Sequence, residues 1–557
     1  MTRILVPIMM ILFTIGCNGD AIHSETADGV KAENAQIFIR VNQVGFRAND
    51  YKIATVISDA DISGSAFKVI ESKTGKESVS GKIVKGPSGW GNFPFGYSVD
   101  FTSLKKEGRY YIDVAGKKSP EFLISSRNYI TITDSLLKFF KIQRCGPTNP
   151  ILHDVCHLYD ANKLVGELRA GGIDVTGGWH DAGDYTKFLN TTAFTTYLLL
   201  FSYEFNRTRY ENDSDKNGVP DILDEAKIGL DWLLRCNYAP GKLVIQVQDL
   251  KDQTVGWRMP ENDTLRYERP AFAGIGKNLV GLYSATMSLA SRIWKDRIKN
   301  NEFSERCLNA ATNIYAVRNS VPNVDKNPIG MYQDSRFWGK LALGAIEMYN
   351  TTKKQEYLRE AQTYADSAGS DYWWSWGDMN ALAHYKIAKH VPRFSDYILN
   401  NLIAFNDNRN KNLFQEGTVF SWGTSHTFLG IALHAILYRD LTGKNNFDSL
   451  AFSQRDYILG NNPWGVSFIY GYGEKYTKYF HSQVAYFNGG YFPGGVAAGP
   501  APKAILDGYN IERKNFSYNK FNSADVLYYD DRNDYITNEP TIVTNATAIF
   551  VFGNLYK

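Results

Sequence analysis

Apolar and polar positions follow one rhythm early in the chain and another after it. Between residues 36 and 126 they alternate: Ile37, Ile39 and Val41; Ile53, Thr55 and Ile57; Tyr97, Val99 and Phe101; Tyr110 and Ile112. A period of two belongs to a strand that buries one face. Turn signals separate the runs at Ser63-Gly64, Thr74-Gly75-Lys76 and Glu107-Gly108. Several short strands in about 90 residues predict a β-sandwich. From residue 127 the spacing turns helical. Trp338, Leu341, Ala342, Ala345 and Tyr349 share one face, as do Ile222, Ala226, Leu230 and Leu233, where Asp221 is the expected N-cap. Roughly twelve helical stretches are predicted, near 128–143, 191–205, 222–236, 278–295, 303–318, 336–350, 354–369, 378–389, 394–404, 424–442, 447–459 and 542–556. Twelve helices suit an all-α (α/α)6 barrel over 127–557, behind the sandwich of 36–126. Long loops rich in Gly, Asn and aromatic residues interrupt the helices at 237–275 and 460–530. Loops of that length in a compact domain are usually functional or accessory.

The first residues follow neither rhythm. Arg3 precedes the apolar run Ile4 to Ile15, too short to span a bilayer and matching a secretory h-region. Gly16-Cys17 after it resembles a bacterial lipobox, with Thr14 departing from the usual aliphatic residue. The expectation is a lipoprotein signal peptide over 1–17 with Cys17 acylated, then a polar flexible leader over 18–35. The chain would be exported and lipid-anchored, at an outer membrane facing the cell surface or the periplasm. An ordinary signal peptide with a chance Cys is the alternative.

Composition then removes some classes of function. The 557 residues carry 61 Lys plus Arg against 58 Asp plus Glu, a net charge of +3 that offers no field for nucleic acid. The 47 Gly and 18 Pro are too few for a fibrous or disordered chain. The 35 Tyr, 32 Phe and 11 Trp fit a large helical core, or a sugar-binding cleft in which flat rings stack on pyranose faces. Apart from Cys17 there are Cys145, Cys156, Cys236 and Cys307, enough for two disulfides in an oxidising compartment.

The densest chemistry is Gly177-Gly178-Trp179-His180-Asp181-Ala182-Gly183-Asp184-Tyr185. Asp181 and Asp184, three apart, would lie on one side of a helical turn, with Trp179 and Tyr185 as flat apolar walls. Two neighbouring acids repel, so keeping both ionised calls for hydrogen bonds or a water between them. An Asx-rich turn capping a helix reads equally well. A second acidic stretch runs from Tyr528-Tyr529-Asp530 through Asp534-Tyr535 to Asn538-Glu539-Pro540-Thr541. Alone, Glu539 reads as a capping Glu in a first helical turn.

Together these stretches resemble glycoside hydrolase family 9, the cellulase family of (α/α)6 barrels. Gly178 to Tyr185 matches its aspartate motif, and Tyr528, Asp530, Tyr535, Glu539, Thr541, Asn545 and Ala546 keep the spacing of its glutamate signature. Asn217 to Glu225 and Tyr457 to Pro463 look like further family blocks. Val41-Asn42-Gln43-Val44-Gly45-Phe46 resembles the immunoglobulin-like domain of one branch. The resemblance implies inverting hydrolysis of β-1,4-glucosidic bonds in cellulose, xyloglucan or mixed-linkage glucan, with Glu539 as acid, Asp184 as base and Asp181 holding the same water. His481 would touch sugar. Two positions depart: Gln483 replaces the Arg of the family's His-x-Arg, and Thr544 stands where a Tyr is frequent. The action expected is endo; the departures lend some support to the alternative of an exo-acting enzyme on short oligosaccharides. A further alternative, a non-catalytic glycan-binding lipoprotein, would have no need of all three acids. No obligate protein partner is implied.

Cys145, Cys156, His157 and His180 offer two thiolates and two imidazoles, a set suited to a closed zinc site. The same branch of the family implies a structural zinc there. A Cys145–Cys156 disulfide is the alternative. Asp213-x-Asp215-x-Asn217-Gly218 opens like a calcium loop, but Asp224 rather than Glu stands twelfth, so a solvated turn is the simpler reading. Family members often bind calcium; its ligands stay unassigned.

Overall fold

A computed structural model of the protein describes residues 35–168, 170–326 and 332–556. The expected signal segment over 1–17 with Cys17, and the expected leader up to residue 34, lie outside them. Nine strands form the N-terminal sandwich: β1 (Ile37–Arg40), β2 (Ile53–Ser58), β3 (Ala66–Glu71), β4 (Glu77–Lys82), β5 (Val84–Lys85), β6 (Phe95–Asp100), β7 (Gly108–Val114), β8 (Lys117–Lys118) and β9 (Phe122–Ile124). One sheet runs β1-β2-β6-β5 and the other β4-β3-β7-β8, with β9 also on β7. The pairing is antiparallel throughout, as in Ile53–Asp100 and Phe67–Val114. Val56, Val69, Tyr97, Val99, Tyr110 and Ile112 meet between the sheets, fully buried. In β2 the inner face is that of Ala54 and Val56. Ile57, read in the sequence as part of the alternating face, packs instead into the core of the second domain, because β2 is covered on both sides.

Among the described residues, twelve helices of nine residues or more make the second domain. They are α1 (Ile132–Gln143), α2 (Leu189–Phe205), α3 (Asp221–Cys236), α4 (Lys277–Ile293), α5 (Asn301–Tyr315), α6 (Trp338–Thr352), α7 (Gln355–Ala368), α8 (Asn380–Ala388), α9 (Ser395–Arg409), α10 (Thr424–Thr442), α11 (Asp448–Ile458) and α12 (Ile542–Asn554). The even-numbered helices close a ring: α2 packs on α4, α4 on α6, α6 on α8, α8 on α10, α10 on α12, and α12 on α2. The odd-numbered ones lie outside, each against an inner neighbour. Burial follows this order. In α2 every residue but Glu204 is buried, as an all-round apolar inner helix requires, whereas α7 buries only Tyr357, Ala361 and Ala365, one stripe. Asp221 is the first residue of α3 rather than its cap; its carboxylate accepts instead from the Ser214 N–H and the Asn212 amide.

The two domains are joined by the sequence blocks singled out above. Asn42 donates to Asp456 at 2.6 Å, Gln43 N–H to the Leu459 carbonyl at 3.0 Å, and the Gln43 amide to the Gly465 carbonyl at 2.9 Å. Gly45 has φ +112°, and a Cβ there would stand 1.9 Å from the Leu123 carbonyl oxygen, so only glycine fits the turn. Behind it Arg455 is wholly buried between Asp50 and Asp456 at 2.8 and 2.7 Å. A charge so placed is tolerable only with such partners.

Candidate active site

The segments before the inner helices gather at one end of the ring. Asp181 and Asp184 precede α2, Tyr332 precedes α6, and Glu539 precedes α12. Residues 177–186 are a loop, not the helical turn that the spacing suggested. Its shape comes from its backbone bonds: Cys145 N–H to Gly178 O at 2.9 Å, His180 N–H to Gln143 O at 2.8 Å, and Asp181 N–H to Thr186 O at 3.0 Å. The Gln143 amide also donates to the carbonyls of His180 and Ala182. Ile542 N–H donates to Asp181 O at 3.0 Å, which ties the start of α12 to this loop.

Glu539 does not cap α12; it ends the short helical turn Tyr535–Asn538, its N–H donating to the Tyr535 carbonyl. Thr541 caps α12 by accepting from Thr544 N–H, while Glu539 Oε1 accepts the Gly183 N–H at 3.1 Å. The chain closes tightly here, since a Cβ on Gly183 would meet the His481 carbonyl oxygen at 2.0 Å. Three carboxyls therefore share one half-buried cluster. Burial, with the Asp184 and Asp181 charges, pushes the Glu539 carboxyl well above its usual range. Asp184 is pushed up to about 7 by burial and by the charge of Asp252; Thr186 N–H and Gln253 stand against it at 3.1 and 3.4 Å. Burial pushes Asp181 up to about 6, against the Thr191 hydroxyl that donates to its Oδ1 and the nearby Tyr332 hydroxyl. Asp181 Oδ2 is buried without a hydrogen-bond partner of normal geometry. Near neutral pH such a cluster holds one protonated acid beside ionised neighbours.

His481 stands at the edge of this cluster. Its Nδ1 is 2.7 Å from the Arg532 carbonyl oxygen, and burial lowers it to about 4, so the ring is neutral. Trp257 meets it edge-on at 5.1 Å and Tyr535 at 5.6 Å. Two expected walls are elsewhere. Trp179 is fully buried, donates to Glu225 at 2.8 Å and packs on Phe140. Tyr185 is 1% exposed and lies over the rings of His157 and His180, its hydroxyl donating to the Arg258 carbonyl. Neither presents a face to a ligand; the apolar side of each is used in packing. Gln483, at the departed Arg position, accepts the Arg258 N–H at 2.9 Å and so anchors the loop bearing Trp257.

Sequence reasoning missed Tyr332, Thr191, Asp252 and Trp257. The last two lie in the long loop 237–275, whose length suggests a functional or accessory part but singles out no residue. Tyr332 and Thr191 carried no local signal, since a lone Tyr before a helix or a Thr in a helix's first turn is ordinary.

Beneath Tyr185, Cys145, Cys156, His157 and His180 bring four ligand atoms within 4.8 Å of one another, all buried. Cys145 Sγ lies 3.6 Å from His157 Nδ1, and His157 Nδ1 lies 3.1 Å from His180 Nε2. The two cysteines are free rather than bridged, as are Cys236 and Cys307. Asp263 accepts from His157 Nε2 at 3.0 Å, which orients the other ring nitrogen to the cluster, and burial lowers His180 to about 4, leaving it in its ligating neutral form. These groups fit a tetrahedral N/S metal site. An ion-pair chain runs on from Asp263 to Arg258 to Asp252, and Asp252 accepts the Tyr185 N–H at 3.0 Å. The carboxylates of Asp215, Asp221 and Asp224 also gather, partly exposed, around Asn217.

A ring of paired helices whose loops converge three carboxyls defines a carboxylate-type glycoside hydrolase. The model of glycosyl hydrolase family 9 matches residues 129–552, and that of the cellulase N-terminal Ig-like domain matches residues 34–119. The protein belongs to glycosyl hydrolase family 9. Endoglucanase D of Acetivibrio thermocellus is 25% identical over 89% of this chain and 83% of its own length. A xyloglucan-specific endo-beta-1,4-glucanase of Bacteroides ovatus is 24% identical over 93% of each chain. The crystal structure of a metagenome-derived family 9 endoglucanase is 26% identical, with a TM-score of 0.81 over 94% of this chain and 99% of that one.

Proposed function

We propose that this glycoside hydrolase cleaves β-1,4-glucosidic bonds within a β-glucan chain, by inversion. The observation that carries the assignment is the placement of Glu539. Its carboxyl accepts the Gly183 N–H in the loop that bears Asp181 and Asp184, and burial with their charges raises it well above its usual range, the direction a general acid needs. Asp184 is the base, and Asp181, buried beside it, holds the same water from a second side. Thr191 and Tyr332 orient Asp181. Inversion needs that water on the ring face opposite the acid. The first-formed product from a β-linked chain is therefore the α-anomer, read by NMR within the first minutes. A β-anomer would mean retention and overturn these roles. On a long soluble glucan, viscosity should fall before reducing ends accumulate; steady release of one small sugar from the outset would instead favour exo action.

The Cys145, Cys156, His157 and His180 cluster is proposed to hold zinc. Four protein ligands leave no open position, so the ion has a structural part: bound, it ties the loop before α2 to the end of α1, with no step in the reaction. Export with acylation at Cys17 is likewise proposed, on the Gly16-Cys17 pair alone. Wild-type protein from its native host should sediment with membranes and Cys17→Ala should not; a variant that stays membrane-bound removes the idea.

A further inference from the structure

An open cavity of about 980 Å³ adjoins the reaction centre, separated from it by His481. Trp257 forms part of its wall and meets His481 edge-on at 5.1 Å; Arg532, whose carbonyl holds the His481 ring, forms another part. A glucan passing Glu539 would bring its next sugars against Trp257 and the exposed ring of Tyr486. So far this is an ordinary sugar cleft. Its charge is not. Lys475, Lys478, Lys514 and Arg532 line it, and none of these side chains makes an ion pair or a hydrogen bond among the described residues. The acids beside them form no direct ion pair with them, though the Lys478 charge is near enough to Asp530 to act on its carboxyl. Asp530 and Asp531 are buried with their oxygens turned to the backbone: Asp530 accepts from Lys478 and Tyr479 N–H at 3.1 and 2.9 Å, and Asp531 from Asn515 and Asn533 N–H at 2.6 and 2.9 Å. Only Glu474 faces the cavity free of such bonds. Arg532 is held in position over the rings of Tyr479 and Tyr486 at 5.5 and 4.8 Å.

A neutral glucan could take hydrogen bonds from these groups but leaves their charge unmatched, and unpaired cations along one wall repel each other. They set up a local positive potential that favours an anionic ligand, and a guanidinium fork suits a carboxylate in particular. We propose that the cavity binds an anionic sugar in the β-linked chain, one bearing a carboxylate or an acid ester, so that the enzyme prefers acidic substituted glucans over plain ones. The inference rests on the hydrolase reading above and adds its substrate class.

The test compares soluble β-1,4-glucans of matched chain length: hydroxyethyl cellulose, cellulose partly oxidised at C6 to glucuronate, and cellulose partly sulfated at O6. At low ionic strength kcat/KM should be about fivefold higher on an anionic polymer than on the neutral one, and the ratio should fall towards one at high salt. The anionic arm with the larger gain identifies the group recognised. Lys478→Gln/Lys514→Gln should remove the preference and leave the rate on hydroxyethyl cellulose unchanged. Equal rates on all three polymers at low salt would overturn the proposal, as would a variant that slows them alike. Should no polymer be cleaved, the hydrolase reading fails by itself, and calorimetry with a β-1,4-linked oligoglucuronide still decides this one. Salt-sensitive binding that disappears in the double variant supports it; an absence of binding overturns it.

Discussion

Glu539→Gln is expected to lower kcat on a β-1,4-glucan by about 10³-fold while substrate binding stays nearly unchanged. The amide keeps the shape of the acid and can still accept the Gly183 N–H, but it has no proton to give to the leaving oxygen. An aryl glycoside with a good leaving group needs little protonation, so it should recover much of the lost rate in this variant. Asp184→Asn should not be rescued, because the missing step is activation of water. A Glu539→Gln enzyme equally impaired on both substrates would place the acid elsewhere. The same groups set the pH profile. Asp184, held at about 7, must lose its proton to act, so activity falls as pH drops through that region. Glu539, raised well above its usual range, must keep its proton, so activity falls again on the alkaline side. The two carboxyls interact, and the limbs of the bell report the pair rather than either residue. A profile flat from acid to alkaline pH would contradict both assignments.

The second large effect is expected at the Cys and His cluster. Purified protein should contain one zinc per chain, and stripping it or making Cys156→Ser should lower the melting temperature by about 5 °C or more. Activity should fall with it, since His180 is one residue before Asp181 and its N–H is bonded to Gln143 at the end of α1. The path through Asp263 and Arg258 to Asp252 gives the cluster a second hold on this loop, next to Asp184. Binding of the ion should therefore change kcat more than KM. Absence of stoichiometric metal, or a Cys145–Cys156 disulfide found by mass spectrometry in active protein, would remove zinc from the account.

Much of the architecture was legible without coordinates because it depends on periodicity. A helix that must bury all of its faces, such as α2, and one that buries a stripe, such as α7, differ in their residues alone. The same holds for the alternating strands of the sandwich. The acids of the site were legible as well, because Asp181, Asp184 and Glu539 lie in motifs with fixed internal spacing. Local pattern could not tell which face of a side chain meets solvent. Trp179 and Tyr185 stand beside the aspartates in sequence, yet both are turned inward, one onto Phe140 and Glu225, the other over the histidines. Glu539 looked like a cap because its role depends on Gly183, 356 residues away. Tyr332 reaches the site from one loop and Asp252 and Trp257 from another, and the lysines of the adjoining cavity have meaning only once Asp530 and Asp531 are seen turned to the backbone. Composition and spacing determined which chemistry the chain could carry; closure of the helical ring decided which side chains surround it, because desolvation and charge at the site come from residues that are neighbours only in space.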